Sequence, residues 1–309
     1  MKIVVMTGPT SFIGLALSRE LLNRGYKIYA VVRPNSKGIY NIPKKENIVT
    51  VYADMESYGE LADLISEKCD IGIALSWNGT RGQDRDDVAL QHDSYRYSMD
   101  SVRAFAKLGC DVVMTAGSQA EYGLWYDSRK ISELDNCAPN TEYGRNKLRF
   151  YQEAKEFCDT VGITLIEPRF FSLYGPGDFD GTLIISILND MIAHRECRLT
   201  EGIQLWDFLY IDDAVDGLVR LLEHESANGV YNFGSGYSAP LREYIEEMRI
   251  ITGSTSELRF GAVPYPKSGV VNTNPCIERL RAEVDWKPRV TFDDGIRRVI
   301  GRILDSQNA

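Results

Sequence analysis

The chain has 309 residues, 44% of them hydrophobic and 26% charged, which is the composition of an ordinary globular protein with ample core. A net charge of −9 without any dense Lys/Arg block argues against nucleic acid as a partner. No run approaches the roughly 18 apolar residues of a membrane span. Six scattered cysteines without a CxxC pair and three isolated histidines read as free thiols with no metal-ligand spacing.

In chain order, Ile3-Val4-Val5 is a short apolar run of the kind a buried parallel strand shows. The run begins within three residues of the start, which leaves no room for a signal peptide and makes a cytoplasmic location the expectation. Thr7-Gly8 breaks the run, and apolar residues at helical spacing follow from Phe12 to Leu22. A strand, a glycine turn and a helix form the start of a dinucleotide-binding βαβ unit. Gly8 permits the sharp turn and Gly14 the close approach of helix and strand. The free N–H groups at the helix start, carried by Thr10, Ser11, Phe12 and Ile13, face a pyrophosphate. The usual fingerprint has three glycines; here Ser11 stands at the middle one.

Lys27 to Val32 reads as the second strand, ending in Arg33-Pro34-Asn35-Ser36-Lys37. In this fold an acid at that strand end accepts from the adenosine ribose. Here Arg33, Ser36 and Lys37 stand instead, and a guanidinium plus a hydroxyl suits the 2′-phosphate of NADP. NADP(H) is therefore favoured over NAD(H), through Arg33 and Ser36. Ile48 to Tyr52 is a third strand; Asp54 after it caps either the adenine edge or only the helix expected over 57–68, with Met55 beside it as a cofactor-binding candidate. Ile71 to Leu75 is a fourth strand, followed by Ser76-Trp77-Asn78-Gly79; residues 80 to 93 are a polar loop or exposed helix start. Tyr95 to Leu108 is helical and Val112 to Thr115 a fifth strand, followed by Ala116-Gly117-Ser118. A helix from Tyr143 to Thr160 leads to a strand over Ile163 to Glu167. This alternation predicts an α/β fold with a doubly wound parallel sheet and right-handed crossovers.

After Pro168 the rhythm loosens. A turn-rich loop at Tyr174 to Asp178 precedes helices at Leu183 to His194 and Tyr210 to Glu223. A strand at Val230 to Phe233 and two or three further helices complete the chain. The expected division is a Rossmann-type domain over 1–168 and a smaller α+β substrate domain over 169–309, with segments near 204–236 returning to the first.

Tyr143 and Lys147 stand four apart, on one face of a helix. A nearby ammonium stabilises a phenolate and brings a tyrosine of ordinary pKa about 10 into reach of proton transfer. Ser118 can hold the substrate oxygen in line. The Tyr-x-x-x-Lys spacing recurs at Tyr40/Lys44, Tyr126/Lys130 and Tyr151/Lys155. Pro43 argues against a helix for the first, the second falls in a loop, and the third remains a rival on the same helix.

The segments TGPTSFIG, GSQAEYG (117–123), EYGRNK (142–147), PRFFSLYGPGD (168–178), QLWDFLYIDDA (204–214) and YNFGSG (231–236) together resemble the extended short-chain dehydrogenase/reductase family, in the family's order and along essentially the whole chain. The resemblance implies a Rossmann domain holding NAD(P) and a C-terminal domain holding a nucleotide-diphosphate sugar. It implies Ser118, Tyr143 and Lys147 as the catalytic residues. It also implies that Pro168 and the backbone near Ala74 to Ser76, with Leu75 and Ser76 as the named contacts, face the nicotinamide, and that a homodimer forms through the helices at 95–108 and 143–160. Ser172 stands where the family usually has a substrate-contacting asparagine. Ser118-Gln119-Ala120 lack the acid–base pair of the sugar dehydratases. The chain is most similar to reductases of 4-keto-6-deoxyhexoses, with Trp77, Gln119, Phe171, Ser172 and Trp206 as substrate contacts. A 4-epimerase with retained NAD shares the same three residues. A non-catalytic cofactor-sensing protein on the same fold is the reading from another class, and the intact catalytic set speaks against it.

Overall fold

The computed structural model describes residues 1–307. Its centre is a parallel sheet of β1 (Ile3–Thr7), β2 (Lys27–Val32), β3 (Ile48–Tyr52), β4 (Ile71–Ala74), β5 (Val112–Thr115), β6 (Gly117–Ser118), β7 (Thr164–Phe170) and β12 (Gly229–Phe233). The strand order is β12-β7-β5-β4-β1-β2-β3, with β6 beside β7. Between them run α1 (Phe12–Asn23), the one-turn α2 (Leu61–Leu64), α3 (Val88–Lys107) and α4 (Glu142–Val161). Beyond β7 come the short strands β8 (Ser172–Tyr174), β9 (Cys197–Arg198), β10 (Leu205–Trp206) and β11 (Phe208–Tyr210), with helices α5 (Leu183–Ile192) and α6 (Ile211–Glu223). After β12 follow β13 (Ala239–Pro240), α7 (Leu241–Thr252), β14 (Leu258–Arg259), α8 (Glu278–Val284) and α9 (Phe292–Gln307).

Side-chain alternation sorts the sheet into two cores. Val4, Met6, Ile28, Ala30, Ile71 and Ile73 point to the face covered by α1 and α6. Val5, Val31, Ala74 and Val113 point to the face covered by α3 and α4. A strand buried on both faces must be apolar at successive positions, which is why IVVM, IYAVV and IGIA read as continuous runs. No described helix is long and apolar enough to cross a membrane.

The chain leaves β1 toward β2 and β3 in one direction and resumes at β4 to run the other way. The strand order therefore reverses between β1 and β4, whose ends are tied by the Leu75 N–H donating to the Thr7 carbonyl at 3.3 Å. Ligands of open α/β sheets bind in the crevice at such a switch point.

Several boundaries differ from the sequence reading, each for a local reason. The expected 57–68 helix is a 3-10 turn over Met55–Glu60 plus the short α2. α3 begins at Val88, because the Asp87 side chain caps it by accepting from the Leu90 N–H at 3.0 Å. β7 continues through Pro168 to Phe170. It is hydrogen-bonded to β5 only as far as Ile166, and to β6 from Arg169 onward, so the residue without an N–H falls in the gap between two ladders.

Candidate active site

The opening turn folds as its residues dictate. Gly8 has φ +71°, and a Cβ there would lie 2.9 Å from the Leu75 carbonyl carbon and the Ser76 nitrogen; only glycine lets β1 and β4 end this close together. Ser11 caps α1, its hydroxyl accepting from the Gly14 N–H at 3.0 Å. Ser11 thus has a structural task of its own at the position where the fingerprint has glycine. Among the described residues the N–H groups of Phe12 and Ile13 have no partner, and both residues line the large cleft. A helix start with open donors and a positive dipole end fits a pyrophosphate.

That cleft, of about 1160 Å³, runs from Ser11, Phe12, Ile13 and Leu75 past Trp77, Ser118, Tyr143 and Lys147 to Phe171, Ser172 and Trp206. Tyr143 is set by the start of α4. Thr141 caps the helix, accepting from the Gly144 N–H at 3.1 Å, and a Cβ on Gly144 would meet the Ala120 carbonyl at 2.5 Å. Glycine at that position brings the helix against the 119–121 turn, and the Tyr143 phenol comes to the Ser118 hydroxyl. Burial pushes the phenol's pKa up, while Ser118 and the Arg85 guanidinium, 4.8 Å from its ring centre, pull it down.

One helical turn on, the Lys147 Nζ donates to the Ala116 carbonyl at 2.8 Å and lies 3.8 Å from the centre of the Trp77 ring. Burial pulls Lys147 down from 10.5 to about 8, against the opposing pull of Glu121 and Glu167. These two carboxylates lie beneath the site with Arg169, all three almost fully buried. Arg169 Nε donates to Glu121 at 2.8 Å and to Glu167 at 3.3 Å. Glu121 also accepts from the Ser118 N–H at 2.7 Å, so the turn that carries Ser118 rests on this cluster. Burial and the adjacent Glu121 raise Glu167 well above the ordinary carboxylate range. The rival pair separates. Lys155 faces solvent and pairs with Asp159, and Tyr151 lies toward Arg169 and Arg279, away from the cleft.

Other expected residues fall around this axis. Arg33 and Asp54 follow the adjoining ends of β2 and β3, both exposed. Thr10 packs against the 37–41 turn, where a Cβ on Gly38 would lie 2.9 Å from its own, and the Ser36 N–H donates to the Arg33 carbonyl. Gly8 forms the turn itself, and Gly14, in the first turn of α1, lies so close that a Cβ on it would come within 2.2 Å of the Gly8 carbonyl oxygen. The Ser76 hydroxyl bonds to Tyr58 at 2.7 Å rather than opening into the cleft. Three residues lie elsewhere than expected. Met55 is buried in the core under α3. Pro168 is buried inside β7, and Phe170, two residues on, walls the cleft. Gln119 turns into a neighbouring hollow beside Gly123 and Asn272, its Oε1 buried without a partner.

Trp206 does line the cleft, with an indole N–H that is buried and unpartnered. Asp207 fixes the segment that carries it, accepting from the Ser235 and Gly236 N–H groups at 2.6 and 2.8 Å. The sequence reading missed Arg81 and Arg85, which line the cleft from the polar 80–86 loop. Arg81 lies over the Phe179 ring at 4.3 Å and faces Asp178 at 3.9 Å, so this loop touches the 178–183 loop across the mouth. Hydropathy shows only an exposed polar stretch there; the signal available was two arginines in the loop that leaves the C-terminal end of a buried strand.

The sequence profile of the NAD dependent epimerase/dehydratase family matches residues 4–234. The chain belongs to that family. It is an NAD(P)-dependent enzyme of the extended short-chain dehydrogenase/reductase type. Among curated relatives it is similar to a dTDP-4-dehydro-6-deoxyglucose reductase of Escherichia coli, at 25% identity over 97% of each chain. It is also similar to a CDP-abequose synthase of Salmonella typhimurium, at 21% identity over 97% of this chain and 98% of the relative. Among solved structures it superposes on a UDP-glucose 4-epimerase of Thermotoga maritima with a TM-score of 0.89, at 18% identity over 99% of both chains, a likeness of fold.

Proposed function

We propose that this family member reduces the C4 carbonyl of a nucleotide-diphosphate 4-keto-6-deoxyhexose with NADPH. The observation that carries the reading is the convergence of Ser118, Tyr143 and Lys147 on one wall of a cleft whose other end is an open anion cradle. The names of two full-length relatives, a 4-dehydro-6-deoxyglucose reductase and a CDP-abequose synthase, are in keeping with it.

The Phe12 and Ile13 N–H groups would hold the pyrophosphate, Arg33 and Ser36 the 2′-phosphate, and Leu75 and Phe170 the walls of the nicotinamide pocket. Bound there, NADPH supplies the hydride. Ser118 aligns the carbonyl oxygen of the sugar with the Tyr143 phenol. Tyr143 donates its proton to that oxygen as negative charge builds on it. The Lys147 ammonium stabilises the phenolate that Tyr143 becomes, and holds the nicotinamide ribose. Gln119 and Ala120 offer no acid–base pair, so sugar elimination has no catalyst at the dehydratase positions. Phe171, Ser172 and Trp206 surround the sugar, the unpartnered Trp206 N–H as a donor to it.

The sign of the pH dependence follows. Reduction needs Tyr143 protonated and Lys147 charged, and Lys147 loses its charge near pH 8. kcat/KM for reduction is therefore expected to fall as pH rises above about 8. The test is turnover of 4-keto-6-deoxy nucleotide sugars with NADPH by the wild type and by Tyr143→Phe. Equal rates in the two would overturn the assignment.

A further inference from the structure

Trp77 has a task that its place on the cleft wall does not explain. The centre of its ring lies 3.8 Å from the Lys147 Nζ, whereas the centre of the Tyr143 ring lies 5.8 Å from that nitrogen. The ammonium also donates to the Ala116 carbonyl. The indole is itself fixed. Its N–H donates to Gln91 Oε1 at 2.8 Å, and the fully buried Gln91 donates in turn to the Gly79 and Asp84 carbonyls at 2.7 and 2.9 Å. Phe150 packs beside the ring at 5.9 Å, and Tyr143 meets it edge-on at 6.2 Å. A buried glutamine that spends its amide on one tryptophan and the loop beside it orients that ring. It does not offer the indole N–H to a ligand.

The face of an indole is electron-rich and favours a cation over a neutral amine. We propose that Trp77 is a positioning residue acting through Lys147: its ring holds the ammonium beside Tyr143 and keeps it charged before any ligand arrives. The other charged and titratable groups around Lys147 are Glu121 from the turn after β6, Glu167 and Arg169 from β7, and Tyr143 with Arg85 over its ring. All of them remain when Trp77 is replaced, so the ring's share is separable. The inference rests on the role given to Lys147 above.

The first test uses the full-length protein without ligand. The emission of Trp77, taken as the difference between wild type and Trp77→Phe, is expected to change with pH around a midpoint near 8, and Lys147→Met is expected to abolish that change. Emission that stays flat between about pH 6 and 10, or a change that survives Lys147→Met, would overturn the proposal. The second test reads the rate. Removal of the ring disfavours the charged amine, so Trp77→Leu should move the alkaline fall of kcat/KM down by about one pH unit, a tenfold change in the protonation equilibrium. Trp77→Phe, which keeps a weaker ring, should move it less. A purely packing role would lower kcat or thermal stability and leave the midpoint in place, which contradicts the proposal. Absence of turnover on any nucleotide sugar would defeat the proposed reaction, while the emission titration would still decide the role of Trp77.

Discussion

At one end of the cleft the walls are the ends of parallel strands. Ser11, Phe12 and Ile13 follow the turn after β1 and Leu75 follows β4, the β1–β4 ladder holds the two strands in register, and the backbone N–H groups of Phe12 and Ile13 are offered there. At the other end the walls are loops, with Arg81 and Arg85 on one side and the 178–183 segment on the other, touching through an arginine over a phenylalanine. Between them stands the wall bearing Tyr143, Ser118 and Lys147, supported by buried charge. With the cofactor at the sheet end and the sugar at the loop end, as proposed, such a site can keep one chemistry and change its sugar. Substitutions at the first end should therefore act on turnover in general, and those at the second on which sugar is used.

The largest effect expected is at the middle wall. Tyr143→Phe removes the proposed proton donor and should lower turnover by up to about 10⁴-fold, with NADPH affinity little changed; steady-state kinetics with a separate binding titration checks both. Next is the buried support. Arg169→Met leaves Glu121 and Glu167 without their cation and should destabilise the protein by about 3–5 kcal/mol, read by urea unfolding. If stability were unchanged, the cluster would not be what holds the Ser118 turn.

Lys147→Met should act in the opposite sense. The lysine is nearly fully buried and its pKa lies at about 8 instead of 10.5, so the folded state favours the neutral amine. A lowered pKa contributes stability that is present above pH 10.5 and lost as pH falls through about 8. At pH 7 the wild type thus carries a cost on the order of 3 kcal/mol. Lys147→Met is expected to unfold at higher urea at pH 7, with the difference closing by about pH 10.5, and to have lost turnover. The smallest effect is at the adenosine edge. Arg33→Ala should raise KM for NADPH about tenfold and leave that for NADH nearly unchanged, since an exposed charge-assisted contact to a phosphate falls at the low end of such bonds, about 1.5 kcal/mol. Equal effects on both cofactors would remove the reason for favouring NADPH.

The same division between sheet and loop explains what could be read without coordinates. Strand β1, its turn and α1 are local: IVVM, a glycine and an N-cap serine lie within fourteen residues, and their geometry follows from spacing. Tyr143 and Lys147 were legible as a helical pair, but their superiority over Tyr151 and Lys155 depends on which helix face meets the cleft. That is fixed by Gly144 against Ala120, a contact across more than twenty residues. Pro168 misled because a proline is expected at a strand's edge or end, whereas here it fills a gap between ladders and leaves Phe170 to face the cleft. Met55 was read as facing the cofactor and Gln119, through the family resemblance, as facing the sugar; the core and a neighbouring hollow take them instead. Gln91 and the pairing of Glu121 with Arg169 were out of reach, because Gln91 meets Trp77 fourteen residues away and Glu121 meets Arg169 across 48 residues.

Reduction of a 4-keto sugar by NADPH is tested most directly by reduced-nicotinamide absorbance during incubation with 4-keto-6-deoxy sugar nucleotides carrying different nucleotides. One NADPH is expected to be consumed per sugar reduced, with a preference for one nucleotide, and none with Tyr143→Phe. Interconversion of nucleotide sugars without added cofactor and with no NADPH consumed would contradict it, and would make the protein an epimerase that retains NAD.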